Sequence, residues 1–188
     1  MRIYTRKGDD GSTELLFGGK VLKSEPRTDA YGAVDTAIAA VGFARATSQE
    51  TLTKETLLKI QHDLFTVATE LAAAPDMYDQ LIEHFSPVTT EMVARLETWI
   101  DDTLNGVDLP SSFIVPGAST GSATIDLART MVRDAERRIV ALDEVEPLPN
   151  KELLRYVNRL SDLLFTLARL EDKDLPDEIT TGKMRRDA

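Results

Sequence analysis

Arg129, Arg133 and Glu136 fall at i, i+4 and i+7 of a segment with helical apolar rhythm, so one helix face carries two guanidinium forks and a carboxylate. Two arginines one turn apart repel by roughly a few tenths of a kcal/mol, and an anion between them reverses that sign. Guanidinium forks match polyphosphate oxygens. The bland alternative is a solvated face on which Arg133 pairs with Glu136. Other polar residues in awkward places shift the balance. Asp35 sits between Val34 and Ile38 of another helical pattern, where a carboxylate facing the core needs a partner such as arginine. Asn158 stands beside Val157, and Asp162 follows one turn later. Together they predict a polar site at the edge of a helix bundle.

The head of the chain offers a second kind of anion chemistry. Arg2 to Thr13 reads RIYTRKGDDGST, a short extended piece entering a tight turn. Gly8 and Gly11 could expose successive backbone N–H groups to a phosphate, flanked by basic and hydroxyl side chains. A surface hairpin loop has the same composition. It is not a Walker A loop, because Gly18-Gly19-Lys20 is followed by valine.

Helices must position these residues. Tyr31, Val34, Ile38, Val41 and Ala44 recur at steps of three or four after Thr28, a candidate cap. The rhythm returns in Leu57, Ile60, Leu64, Ala68 and Leu71, between Ser48 and Pro75. Val93, Leu96, Trp99, Ile100 and Leu104 form a third stripe, entered after Pro87 and closed by Asn105-Gly106. Ala128, Met131, Ala135, Ile139 and Leu142 form a fourth. Leu153, Val157, Leu160, Leu164 and Leu167 form a fifth, capped by Asn150. The expected fold is all-α, a five-helix antiparallel bundle in one domain. Residues 1–27 would be the head, 28–170 the bundle and 171–188 a polar tail that packs weakly. For Phe113, in the apolar run FIVPG between the third and fourth helices, the bland reading is a core anchor in a connecting loop. His62 reads as structural, since position 59 is lysine and the Glu-x-x-His spacing of a di-iron bundle is missing.

Composition excludes several classes. The 188 residues contain no cysteine and two histidines, leaving no thiolate chemistry and little room for a histidine-built metal centre. A formal charge of -10 argues against nucleic-acid and membrane-surface partners. The charge is segregated: the first 27 residues carry six bases against four acids, whereas Glu50 to Asp102 carries eleven acids and three bases. Any anionic ligand must be held locally. No apolar leader region follows Met1 and no run approaches a spanning helix, so a cytoplasmic protein is expected.

Five separated segments carry a resemblance: TRKGDDGST from Thr5, RTDAYGAVD from Arg27, FIVPG from Phe113, LARTMVRDAERR from Leu127 and YVNRLSDLLFTLAR from Tyr156. In order and spacing the chain resembles ATP:corrinoid adenosyltransferases of the propanediol-utilisation type. The resemblance implies transfer of the 5'-deoxyadenosyl group of ATP to the cobalt of cob(I)alamin, giving adenosylcobalamin and triphosphate. It implies a helix-bundle homotrimer with sites between subunits and a glycine-rich nucleotide-binding head. Carried over by position, Thr5, Arg6, Lys7, Gly8, Asp9, Gly11, Ser12, Thr13 and Lys23 would wrap ATP, with Arg133, Glu136, Arg137 and Asn158 lining the triphosphate. Asp35, Phe113, Arg129 and Arg133 would be the catalytic set. Asp35 would pair with Arg129 at the subunit interface, and Asp35, Phe113 and Asp162 would meet the corrinoid, Phe113 against the lower face of cobalt. Magnesium would accompany the triphosphate, with no direct protein ligand assigned. A cobalamin reductase or a B12-dependent enzyme would be the protein partner.

Cobalt(I) is itself a strong nucleophile, which suits an enzyme with no cysteine and little histidine. The chain departs from the family pattern at Thr36-Ala37-Ile38 (commonly Glu-Leu-Asn), at Asp126 (often histidine), at Asp134 (arginine) and at Phe17 (glycine). The changes at Thr36-Ala37-Ile38 and Asp126 make a non-catalytic, ATP-gated corrinoid carrier or docking subunit the alternative. A helical scaffold binding an acidic partner is the third reading.

Overall fold

The computed structural model describes Tyr4, residues 6–176 and Ile179. The head forms a small antiparallel hairpin, β1 (Ser12–Glu14) with β2 (Lys20–Leu22), in the register Ser12↔Leu22, Thr13↔Val21 and Glu14↔Lys20. Six helices follow: α1 (Pro26–Thr47), α2 (Thr51–Leu71), α3 (Tyr78–His84), α4 (Thr90–Leu104), α5 (Thr120–Val145) and α6 (Glu152–Glu171). The all-α bundle is as expected, with α3 added. Its seven residues bury only Leu81, too little for a readable stripe.

Helices α1 and α5 make the most extensive contact, flanked by α2 on one side and by α6, then α4, on the other. Alanines explain the close approach: Ala30, Ala33, Ala37 and Ala44 on α1, and Ala128 and Ala135 on α5, are all buried. Larger residues such as Leu57, Ile60, Ile125, Ile139, Leu160 and Leu164 fill the space around them. Short turns join α1 to α2 and α5 to α6, which makes each pair antiparallel.

Several local expectations change. Helix α1 starts at Pro26, with extended Glu25 before it and proline's fixed φ at its first turn. Thr28 lies inside that turn, and its hydroxyl donates to the Leu22 and Glu25 carbonyls, tying the hairpin to the bundle. Asn150 does act at the start of α6, accepting from the Glu152 N–H at 3.0 Å. Helix α5 opens with a capping box between Ser119 and Ser122. The start of the tail is well held: the Glu171 carboxylate accepts from the Ser48 hydroxyl and from the Gln49 and Glu50 N–H groups. His62 is exposed. Phe113 is 74 % exposed, so it is no core anchor. Among the described residues no helix is long and apolar enough to cross a membrane.

Candidate active site

Helix α5 presents Arg129 and Arg133 to a cleft of about 670 Å³ whose other walls come from α4 and α6. Ile100, Leu104, Leu109 and Phe165 make part of that wall apolar, while Glu97, Asp101, Arg159 and Asp162 charge its rim. The floor therefore suits a ligand with both an apolar body and anionic groups.

The two arginines differ in restraint. Arg129 Nε donates to Asp126 Oδ1 at 2.8 Å, and Asp126 Oδ2 accepts from Arg169 Nη2 at 2.6 Å. Arg133 has no ion pair among the described residues. The pairing of Arg133 with Glu136 does not form, because Glu136 Oε1 accepts from Asn158 Nδ2 at 2.8 Å. Two sequence-predicted residues from different helices thus meet beside the cleft. Arg137 turns aside to Asp134 at 2.8 Å. Arg138 binds the same carboxylate and also Asp29. Arg138, then Arg137, holds the Asp134 carboxyl below its ordinary range. Asp162 accepts from Arg159, which also reaches Glu97.

Asp35 is exposed on α1, so it carries no desolvation cost, and within the chain it does not pair with Arg129. The side chain Arg129 does take, Asp126, was legible only as an i,i+3 neighbour. Its burial and its second arginine, Arg169, come from opposite faces of α5 and α6 meeting, which no local pattern announces.

The head builds a separate cavity of about 700 Å³, lined by Lys7, Gly8, Ser12, Thr13, Glu14, Lys20 and Lys23. Its turn is closed from within. Gly11, with φ +81°, donates its N–H to the Gly8 carbonyl at 3.2 Å. Buried Ser12 gives both its N–H (3.0 Å) and its hydroxyl (2.5 Å) to Asp10 Oδ1. Lys20 Nζ adds 2.7 Å to Asp10 Oδ2, and Lys20 first, then Ser12, pulls the Asp10 carboxyl far below the usual range. The expected run of free backbone N–H groups is thus partly consumed, and the backbone nest at Gly11 and Ser12 is not open. What remains on offer is side chains. Lys23 donates to the Gly8 carbonyl at 2.9 Å, Lys7 lies 3.7 Å from Glu14, and Thr13 lines the wall. Arg6 is exposed at φ +63°, its guanidinium 5.6 Å from the Tyr4 ring. Asp9 is exposed, and Thr5 lies outside the described residues.

The head cavity and the α4/α5/α6 cleft share no lining residue. Among the described residues, no three His, Cys, Asp or Glu side chains stand close enough to hold a metal ion.

A cobalamin adenosyltransferase family model matches residues 3–171. The chain belongs to that family. It is 40 % identical over 174 residues to corrinoid adenosyltransferase PduO of Citrobacter freundii, a match covering 93 % of this chain and 51 % of that protein. The PduO protein of Salmonella typhimurium gives 38 % over the same length. The chain therefore spans about half the length of these PduO relatives. A second Citrobacter freundii corrinoid adenosyltransferase is 35 % identical and is covered over 95 % of its length by 91 % of this chain. Among solved structures, a variant PduO-type ATP:corrinoid adenosyltransferase from Lactobacillus reuteri, complexed with cobalamin and ATP, superposes with a TM-score of 0.87 at 32 % identity. That superposition covers 96 % of this chain and 100 % of the other. The family's fold is thus the fold found here.

Proposed function

We propose that this chain catalyses transfer of the 5'-deoxyadenosyl group from ATP to the cobalt of cob(I)alamin. Cobalt(I) supplies the electron pair for the new cobalt–carbon bond, and the C5'–O bond breaks with its pair leaving on triphosphate. Cobalt ends two electrons more oxidised. The observation that carries the reading is the mixed cleft: Arg129 and Arg133 face one space together with Ile100, Leu104, Leu109 and Phe165. Such a site can align an anionic nucleotide against a large apolar ring and stabilise the departing triphosphate. Glu136 and Asn158, bonded to each other, would add polar contacts to the nucleotide.

We infer that the working unit is a homotrimer with each site shared. One chain keeps its basic head and its arginine cleft apart, so a second copy bringing its head, with Thr5 to Thr13 and Lys23, to the cleft would complete the predicted ATP set. Exposed Asp35 is then available to Arg129 of a neighbour, and exposed Phe113 to the corrinoid. Phe43, Leu127 and Val140, left exposed on α1 and α5, supply apolar surface for the association. Magnesium would arrive on the nucleotide, and no step here runs through it. The whole chain acts as one domain in the cytoplasm, supplied with cobalt(I) by a corrinoid reductase and serving a B12-dependent enzyme.

The test is an oxygen-free mixture of the protein, chemically reduced cobalamin and magnesium-ATP. Loss of the cobalt(I) absorption with growth of adenosylcobalamin is the expected result. Binding of both ligands without product would replace the enzyme by a carrier.

A further inference from the structure

Arg129 and Arg133 stand one turn apart on the same wall, and among the described residues only Arg129 of the two is held by an ion pair. Asp126 is 5 % exposed and grips two guanidinium groups, Arg129 through Nε at 2.8 Å and Arg169 through Nη2 at 2.6 Å. Arg169 is 4 % exposed and its guanidinium lies 5.5 Å from the centre of the Phe165 ring, which itself lines the cleft. The anchor is dry, whereas the Arg129 side chain as a whole remains 24 % exposed. The Nε–H of Arg129 is spent on Asp126, and its remaining N–H donors belong to the Nη groups of a side chain that lines the cleft.

We propose that Asp126 is a positioning residue for the adenosyl transfer: it fixes Arg129 before the substrates arrive, while Arg133 stays free to follow the nucleotide. The inference rests on the function proposed above. A pre-oriented donor lowers the barrier because it is not reorganised during the reaction, and misplacing a group by about 1 Å costs roughly 100-fold in rate. Charge supports the arrangement as well. One carboxylate between two guanidinium groups leaves a net positive charge facing the cleft, so the anchor does not cancel the attraction for an anion.

The informative variant is Asp126→Asn, which keeps the shape and an acceptor oxygen but leaves the buried Arg169 without its counter-charge, so its helical spectrum and thermal midpoint are checked first. It should lower kcat by about 10- to 100-fold while the KM for ATP changes little. The same substitution in an Arg129→Lys background, which retains a cation but has no Nε to hold, should have almost no further effect on kcat. Should Asp126→Asn fail to give the wild-type helical spectrum, Arg169→Gln, which frees Asp126 from its second anchor, takes its place in the same cycle. Unchanged kcat in the single variant, or an equal loss with and without Arg129, overturns the positioning role. An inactive wild type overturns the functional reading and this inference together.

Discussion

Arg133 and Phe113 have little structural duty, and that makes them useful probes. Arg133 is exposed and has no ion pair among the described residues, and Phe113 projects from the loop before α5. Replacing either leaves the core untouched, so stability should stay within about 0.5 kcal/mol of wild type in thermal unfolding. Arg133→Ala should nonetheless lower turnover about 100-fold or more, as expected when a donor to a developing anion is lost. Phe113→Ala should lower the yield of adenosylcobalamin at an unchanged thermal midpoint. A Phe113 variant with full turnover would remove that residue from the site.

The i, i+4 spacing made the arginine pair legible, because helical geometry alone puts both on one face. Asp35 misled for the opposite reason. It is next to core residues in sequence, but the alanine-lined contact with α5 turns its side chain to solvent. At Ser12 the partner was unforeseen: Asp10, two residues away, captures both of its donors.

At the scale of elements, the apolar stripes predicted the five long helices, although α4 buries only Val93 and Leu96 of its stripe and leaves Leu104 exposed along the cleft. What escaped were the ends and the joints. Gly121 is an example: a Cβ there would lie 2.5 Å from Glu171 Oε2. That carboxylate cannot swing away freely, because Ser48, Gln49 and Glu50 all donate to it. Losing such charge-assisted bonds costs about 1.5–3 kcal/mol, against a helix gain of about 0.5–1 kcal/mol for alanine over glycine. Gly121→Ala should therefore lose roughly 1 kcal/mol net in urea unfolding.

The α5–α6 joint should respond to acid. Asp143 accepts from Lys151 Nζ at 2.7 Å and from the Leu148 N–H at 2.7 Å, and these two, the lysine first, lower its carboxyl from the ordinary 3.8. A lowered folded value means that the contact stabilises fully above the ordinary value and fades as pH falls through the lowered one. The stability gap between wild type and Asp143→Asn should be present at neutral pH and narrow on acidification below 3.8. A gap that widens in acid would contradict this sign. Deeper in the bundle, the buried Tyr156 hydroxyl donates to Asp63 at 2.9 Å, beside Arg95 on the same carboxylate. Burial first, then Asp63, pushes that phenol well above its usual range, so Tyr156 stays neutral and structural.

For the whole molecule, the separation of head and cleft is the feature with the widest consequence. If the site is shared between copies, two inactive variants should rescue each other: Lys23→Ala has a sound cleft, and Arg133→Ala a sound head. Their mixture, exchanged under mild denaturant and returned to buffer, should recover a fraction of wild-type turnover. No recovery above the separate variants would confine the site to one chain. Local motifs point to both halves of the proposed site, yet no periodicity states which copy supplies which half.

The most direct test of the account is the stoichiometry of its reaction. With limiting cob(I)alamin and excess magnesium-ATP in the absence of oxygen, adenosylcobalamin and intact triphosphate should appear in equal amounts. That ratio follows from attack at C5' with triphosphate leaving whole. Adenosylcobalamin without triphosphate, or cobalt(I) left unconsumed while ATP stays bound, would contradict it.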